Sequence, residues 1–361
     1  MKLFRLGDHT RKFLLCESPI DYEDPSRDLL HKTKTEIDKC PLSKWEEAKK
    51  YFNEYEYIYT SSKKDLNVAN IIPVSRSYFK LWEMIQEFQL LKSDIYVACL
   101  AEGPGGFIHC LNDYSFKYEH IVHRFFGITL YSKDRRIPYW NQSIVKNKKV
   151  ILSYGKDKTG DLYKLDNVKE FVKQTGEHKC HLVTADGGFD YSQDYNQQEC
   201  SSYKLFYSEI LIALQIQKMG GHFVLKVFDL FSYASVQLIY ILYLCYSIVE
   251  IYKPSTSRLS NSEKYIVCSG FQRCPPDMIE VLNQQFDTCE SLRLTIPKSF
   301  LEEIQTYNRL FTQTQVDKIK FILKKYQHCD MRKPEKTQIQ KAKQWCQTYD
   351  LPINYKSIYF R

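Results

Sequence analysis

The feature that most limits how this chain can fold is the alternation of short apolar runs with helix-length segments between about residues 61 and 275. Residues 77–91 place Phe79, Trp82, Ile85 and Phe88 on or near one face of an amphipathic helix. Apolar strands are expected at 95–100, 125–130, 150–154, 182–185 and 223–228. Residues 201–219 read as a helix terminated by Gly220-Gly221. An apolar helix at 234–246 and two further strands, at 248–252 and 265–268, complete the set. Strands separated by helices predict an α/β fold, with a mainly parallel seven-stranded sheet and helices on both faces. In such sheets, ligands bind at the carboxyl ends of the strands.

The flanks read differently. Residues 1–60 are charged and rich in tyrosine, with a helix expected at 44–55. From residue 276 the pattern returns to helix, at 300–326 and 336–349, with many lysines and glutamines. The expected organisation is an extension at 1–60, a catalytic α/β unit at 61–275 and a helical extension at 276–361. A charge-free stretch at 231–249 is about long enough to cross a bilayer. Its four tyrosines, its glutamine and its division into a helix and a β-branched run predict a buried helix–strand pair instead, and no membrane association.

Twelve cysteines without a CxxC pair, and a charged start without an apolar segment, predict reduced thiols and no secretory leader. A cytoplasmic location is expected, with the nucleus left open. His178-Lys179-Cys180-His181 carries metal-binding side chains but runs straight into an apolar strand with no second ligand pair, so no metal site is expected. The formal charge of +8 suits a polyanionic partner without identifying one.

Four segments carry chemistry. Leu100-Ala101-Glu102-Gly103-Pro104-Gly105-Gly106-Phe107 joins the first strand of the α/β unit to a helix. Its glycines let backbone approach a small cofactor, and the helix start offers free N–H groups. The spacing is not the GxGxxG of dinucleotide binding, which disfavours a nicotinamide oxidoreductase. Thr184-Ala185-Asp186-Gly187-Gly188-Phe189-Asp190 sets a carboxylate at a strand's carboxyl end with little steric cover. Lys226 lies within an apolar strand, where burying a lysine is costly unless it is paired or functional. The polar loop 253–265 brings Glu263 to the start of the last strand.

With Lys80 on the preceding helix, these residues form the ordered set Lys80, Asp186, Lys226, Glu263. Here the sequence resembles the FtsJ-type RNA ribose 2′-O-methyltransferases over roughly residues 70–270. The resemblance rests on Ser75-Arg76-Ser77-Tyr78-Phe79-Lys80-Leu81, the GPGGF loop, the TADGGFD strand end, the lysine strand and SNSEKYIVC. The loop KPSTSRLSNSEKYIV is similar to that of the mRNA cap branch, including enzymes of large DNA viruses; a viral source would place the protein in the host cytoplasm or virion.

The resemblance implies a Rossmann-like methyltransferase fold, with S-adenosylmethionine as cofactor and the 5′ end of capped mRNA as partner. Other capping-enzyme subunits are further candidate partners. It assigns catalysis to Lys80, Asp186, Lys226 and Glu263, with Lys226 as general base. It assigns cofactor contacts to Glu102, Gly103, Pro104, Gly105, Gly106, Phe107, Asp161 and Asp186. One departure is Cys99, where the family often has an acidic residue, which leaves Glu102 as the carboxylate of the loop.

Candidate RNA contacts are Arg76, Lys133, Arg135, Arg136 and Arg258. Two alternatives stand beside this reading: a ribosomal or transfer RNA 2′-O-methyltransferase, and a catalytically inactive RNA-binding subunit with a cofactor fold.

Overall fold

The computed structural model describes residues 2–16, 22–134, 136–188, 194–287, 292–329, 331 and 333–360. These contain eight strands: β1 (Leu3–Arg5), β2 (Ile95–Leu100), β3 (Val122–Ile128), β4 (Val150–Ser153), β5 (Cys180–Ala185), β6 (Gln217–Val227), β7 (Tyr246–Tyr252) and β8 (Lys264–Phe271). The described α-helices are α1 (Ser26–Thr35), α2 (Leu42–Tyr51), α3 (Ser77–Phe88), α4 (Gly106–Lys117), α5 (Gln142–Val145), α6 (Leu165–Thr175), α7 (Gln198–Ile216), α8 (Tyr233–Cys245), α9 (Met278–Gln284), α10 (Lys298–Lys325) and α11 (Lys336–Thr348).

One sheet runs in the order β1-β7-β8-β6-β5-β2-β3-β4. The pairs β4–β3, β3–β2, β2–β5 and β5–β6 are parallel, whereas β8 is antiparallel to both β6 and β7. From β2 the chain winds outward to β3 and β4, then returns through α6 to β5 on the other side of β2. This reversal opens a crevice at the carboxyl ends of β2 and β5, where Leu100 pairs with Ala185.

Two features differ from the sequence expectation. The sheet has eight strands rather than seven, because β1 pairs antiparallel with β7 (Leu3 opposite Tyr252). Three residues at a sheet edge leave almost no periodic signal, so the segment reads as plain extension. The second difference is at Gly220-Gly221, which lie inside β6 rather than ending a helix. There Gly220 has φ +73°, and a Cβ on Gly221 would sit 2.5 Å from the His181 carbonyl oxygen. The ladder shifts register between Cys180 and Leu182 at the same place, so the glycines serve an irregularity of the strand pair.

The charge-free stretch forms α8 followed by β7 inside the core. Among the described residues, no helix is long and apolar enough to cross a membrane. The terminal segments pack onto the α/β unit. Leu30, Ile37, Trp45 and Ala48 from the N-terminal side meet Val316, Ile319 and Ile322 of α10. Trp345 of α11 donates its indole N–H to Glu83 on α3 (2.9 Å).

Candidate active site

Strand register assembles the four predicted residues. Asp186 follows β5 by one residue, and Lys226 is the second-last residue of β6. β6 pairs with β5 on one side, Leu225 opposite Ala185, and with β8 on the other, Lys226 opposite Tyr265. Glu263, one residue before β8, therefore reaches the same end of the sheet. Lys80 comes from the first half of α3, packed above.

Two ion pairs result. Lys226 Nζ donates to the Asp186 carbonyl oxygen (2.7 Å) and lies 3.3 Å from Asp186 Oδ1. Lys80 Nζ lies 2.8 Å from Glu263 Oε2. The four side chains are 11–14% exposed, enough to be reached by a substrate yet shielded from bulk water. Burial, the largest single influence, pushes the Lys226 pKa down, but Asp186, Glu263 and Glu209 outweigh it and hold the pKa above the usual lysine value. Burial likewise works against the Glu263 charge, and Lys80, Lys226 and Lys253 reverse that and hold its carboxyl far below the usual range. Lys226 and Glu263 are therefore charged as the structure stands.

A surrounding layer that the sequence reading missed holds these groups. Tyr265 OH donates to Asp186 Oδ1 (2.8 Å), and Ser257 Oγ donates to Glu263 Oε1 (2.7 Å). Lys253 is buried and closes the 254–262 loop by donating to the Asn261 carbonyl (2.9 Å) and Asn261 Oδ1 (2.6 Å). Burial drives its pKa well below that of a free lysine. It follows an apolar strand, whereas Lys226 lies within one. Glu209, fully buried on α7, carries the signal that singled out Lys226, an ionisable side chain among apolar neighbours, but on a helix.

The glycine loop is shaped by the protein around it. A Cβ on Gly103 would lie 2.4 Å from the Pro138 carbonyl oxygen, and one on Gly106 would lie 2.1 Å from Ser75 Oγ. Gly105 has φ +103°. Glu102 is buried, and its Oε1 accepts the backbone N–H groups of Phe107 and Ile108 (the latter at 3.1 Å) at the start of α4. It acts as a carboxylate cap that occupies helix-start donors expected to face a ligand. Desolvation raises its pKa to about 8, and together with burial it pushes the neighbouring Cys99 thiol up.

Phe107, another of the expected cofactor contacts, has its ring fully buried in the core. Pro104 accepts the Asn141 N–H through its carbonyl (3.0 Å). Asp161 lies on the loop after β4, where Oδ1 accepts the Tyr163 N–H (3.0 Å). The buried Cys99 thiol interacts with both Glu102 and Thr184. Among the described residues, the buried Trp140 Nε1 near Gly105 has no partner, as fits a site completed by a polar ligand or water.

Two of the basic residues expected on the RNA surface turn inward. Arg258 clamps Glu56 through Nε (3.1 Å) and Nη2 (2.7 Å), and Arg76 Nη2 lies 3.4 Å from the same carboxylate. Arg76 also donates to the Tyr59 carbonyl (2.5 Å). These guanidinium groups tie the segment at 55–59 to the start of α3 and to the 254–262 loop instead of presenting free charge. Lys133 and Arg136 are exposed, Arg136 beside Asp134 (2.6 Å), while Arg135 and the Phe189-Asp190 end of the TADGGFD segment lie outside the described residues. Among the described residues, no group of three or more His, Cys, Asp or Glu side chains could hold a metal ion.

The FtsJ-like methyltransferase profile matches residues 73–271. The chain is 32% identical over 260 residues to a cap-specific mRNA (nucleoside-2′-O-)-methyltransferase 1 of Trypanosoma cruzi, covering 68% of this chain and 71% of that protein. It is 33% identical over 246 residues to the mouse protein of the same name, covering 61% of this chain but 28% of the relative. It is 31% identical over 281 residues to a Drosophila melanogaster cap-specific mRNA (nucleoside-2′-O-)-methyltransferase 2, covering 71% of this chain and 40% of the relative.

Proposed function

This chain belongs to the FtsJ-like methyltransferase family, and from that premise we propose that it methylates the ribose 2′-hydroxyl of the first transcribed nucleotide of capped mRNA, converting cap 0 to cap 1. The observation that carries the reading is the convergence of Lys80, Asp186, Lys226 and Glu263 as two ion pairs at the carboxyl edge of the sheet. The names of the relatives from Trypanosoma cruzi, mouse and fly support the capped substrate. In this reading residues 61–275 carry the chemistry, and the flanking segments brace it.

S-adenosylmethionine would supply an electrophilic methyl group on a sulfonium, whose positive charge disfavours a second cation nearby. Gly103, Gly105 and Asp186, with Glu102 beneath the glycine loop, border the crevice that would hold it. With the methyl donor bound there, the site would hold the ribose 2′-hydroxyl for in-line transfer, and Lys226 would take up the hydroxyl proton. Lys226 is an ammonium in the resting site, so it must lose a proton before it can accept one. Asp186 and Tyr265 fix its direction, while Lys80, held by Glu263, faces the oxygen as negative charge develops.

The RNA backbone would pass the exposed Lys133 and Arg136. The proposed location is the cytoplasm. The reading is tested by incubating the protein with capped RNA and S-adenosylmethionine, then digesting the RNA to nucleosides. A 2′-O-methyl group confined to the first nucleotide is expected; methylation at internal positions overturns the cap assignment.

A further inference from the structure

Glu209 is the one acidic residue in the middle of α7, and it is completely buried. The Gly187 backbone interacts with the carboxyl group, yet among the described residues neither oxygen completes a hydrogen bond of full geometry. A carboxyl group taken out of water with so little compensation is costly, and such a residue calls for an explanation beyond packing. Its position supplies one. A Cβ built on Gly187 would fall 2.7 Å from Glu209 Oε1 and 2.9 Å from the Ala101 Cβ. Glu209 is thus pressed against the first glycine after Asp186, directly under the crevice between β2 and β5. On the next residue, a Cβ at Gly188 would lie 3.1 Å from Lys226 Nζ. The Asp186-Gly187-Gly188 turn is held between Glu209 on one side and Lys226 on the other.

We propose that Glu209 is a positioning residue for methyl transfer, which fixes the Asp186-Gly187-Gly188 turn from beneath and so sets where Lys226 sits. The role rests on the methyltransferase reading given above. Burial drives the Glu209 pKa well above the usual carboxyl value, with Asp186 adding to the shift and Lys226 opposing it. The group fills the space under Gly187 with a side chain that burial biases towards its protonated form. This also accounts for glycine at 187, since a side chain there would collide with Glu209, Leu205 and Ala101.

The test compares Glu209→Gln, which keeps the shape of the side chain, with Glu209→Ala, which empties the space. Two readouts are needed: methyl transfer to capped RNA, and the ¹³Cε resonance of Lys226 in lysine-labelled protein, assigned by its loss in Lys226→Arg. Melting curves confirm that each variant is folded. Glu209→Ala is expected to lower kcat by about tenfold to a hundredfold, as for a reacting group displaced by about 1 Å. It should leave KM for S-adenosylmethionine nearly unchanged and move the Lys226 resonance. Glu209→Gln should recover most of the lost rate and return the resonance towards its wild-type position.

An unmoved resonance in folded Glu209→Ala overturns the proposal, whatever RNA the protein methylates. Failure of Glu209→Gln to recover either readout also overturns it. Wild-type protein that transfers no methyl group, yet shows the resonance shift, sinks the functional reading and leaves the placement of Lys226 by Glu209 standing.

Discussion

Lys226 is anchored to Asp186 twice, its Nζ lying 2.7 Å from the backbone carbonyl oxygen and 3.3 Å from side-chain Oδ1. The main-chain bond persists whatever happens to the carboxylate, so placement and charge are separable. Asp186→Asn should keep the lysine in place while removing a charge that raises its pKa. If Lys226 accepts the proton as a free amine, the rate climbs with pH through that pKa. The rising limb of the kcat profile should move to lower pH in Asp186→Asn, and steady-state rates across pH check it.

Lys80 and Glu263 form the second pair, with Ser257 holding the other carboxylate oxygen. Glu263→Ala leaves Lys80 without its partner and removes one of the charges that raise the Lys226 pKa. Lys80→Ala removes the cation that would face the developing oxyanion, for which about 10²–10³-fold in kcat is the expected loss. Single-turnover rates at saturating RNA distinguish this from weakened binding.

Glu102 caps α4 from inside the glycine loop. Glu102→Ala should cost about 0.5–2 kcal/mol, the usual cost of losing a helix cap. Glu102→Gln keeps an acceptor and should cost less. The group's folded pKa of about 8 lies above its unfolded value. Its contribution is therefore complete below the unfolded carboxyl pKa and is lost as pH rises through about 8. Urea titrations at pH 6 and pH 9 should show wild type losing more stability than Glu102→Gln over that interval.

His181 and His222 on adjacent strands have ring centroids 5.1 Å apart, and burial holds both pKa values down at about 4. Lys92 depresses both further, and His222 and Lys218 add to the effect on His181. A depressed pKa means stability that is present above the unfolded histidine value and lost as pH falls towards 4. The melting temperature should drop across pH 6.5 to 4, and a His181→Asn, His222→Asn double variant should show a shallower drop.

Much of the site was readable because it depends on chain order and strand ends. An apolar strand followed by glycines, and a lysine inside another apolar strand, are local patterns, and parallel winding brings them to one edge. The N-terminal strand β1 was not readable, since three residues carry no period. Gly220-Gly221 was misassigned because two glycines after an apolar run suit a helix end and a strand irregularity equally. Arg76 and Arg258 read as candidate RNA contacts because sequence does not reveal a partner such as Glu56, about 200 positions away from Arg258. Tyr265 and Ser257 act through tertiary contacts alone, which no spacing rule announces.

The most direct test of the account is transfer of labelled methyl from S-adenosylmethionine to a short RNA, capped or uncapped, by wild-type protein and folded Lys226→Ala. The account predicts label on the capped RNA with wild type and a loss of about 10²–10⁴-fold in Lys226→Ala, the range for a general base. Equal labelling of capped and uncapped RNA would contradict the cap assignment, and undiminished transfer by Lys226→Ala would contradict the mechanism.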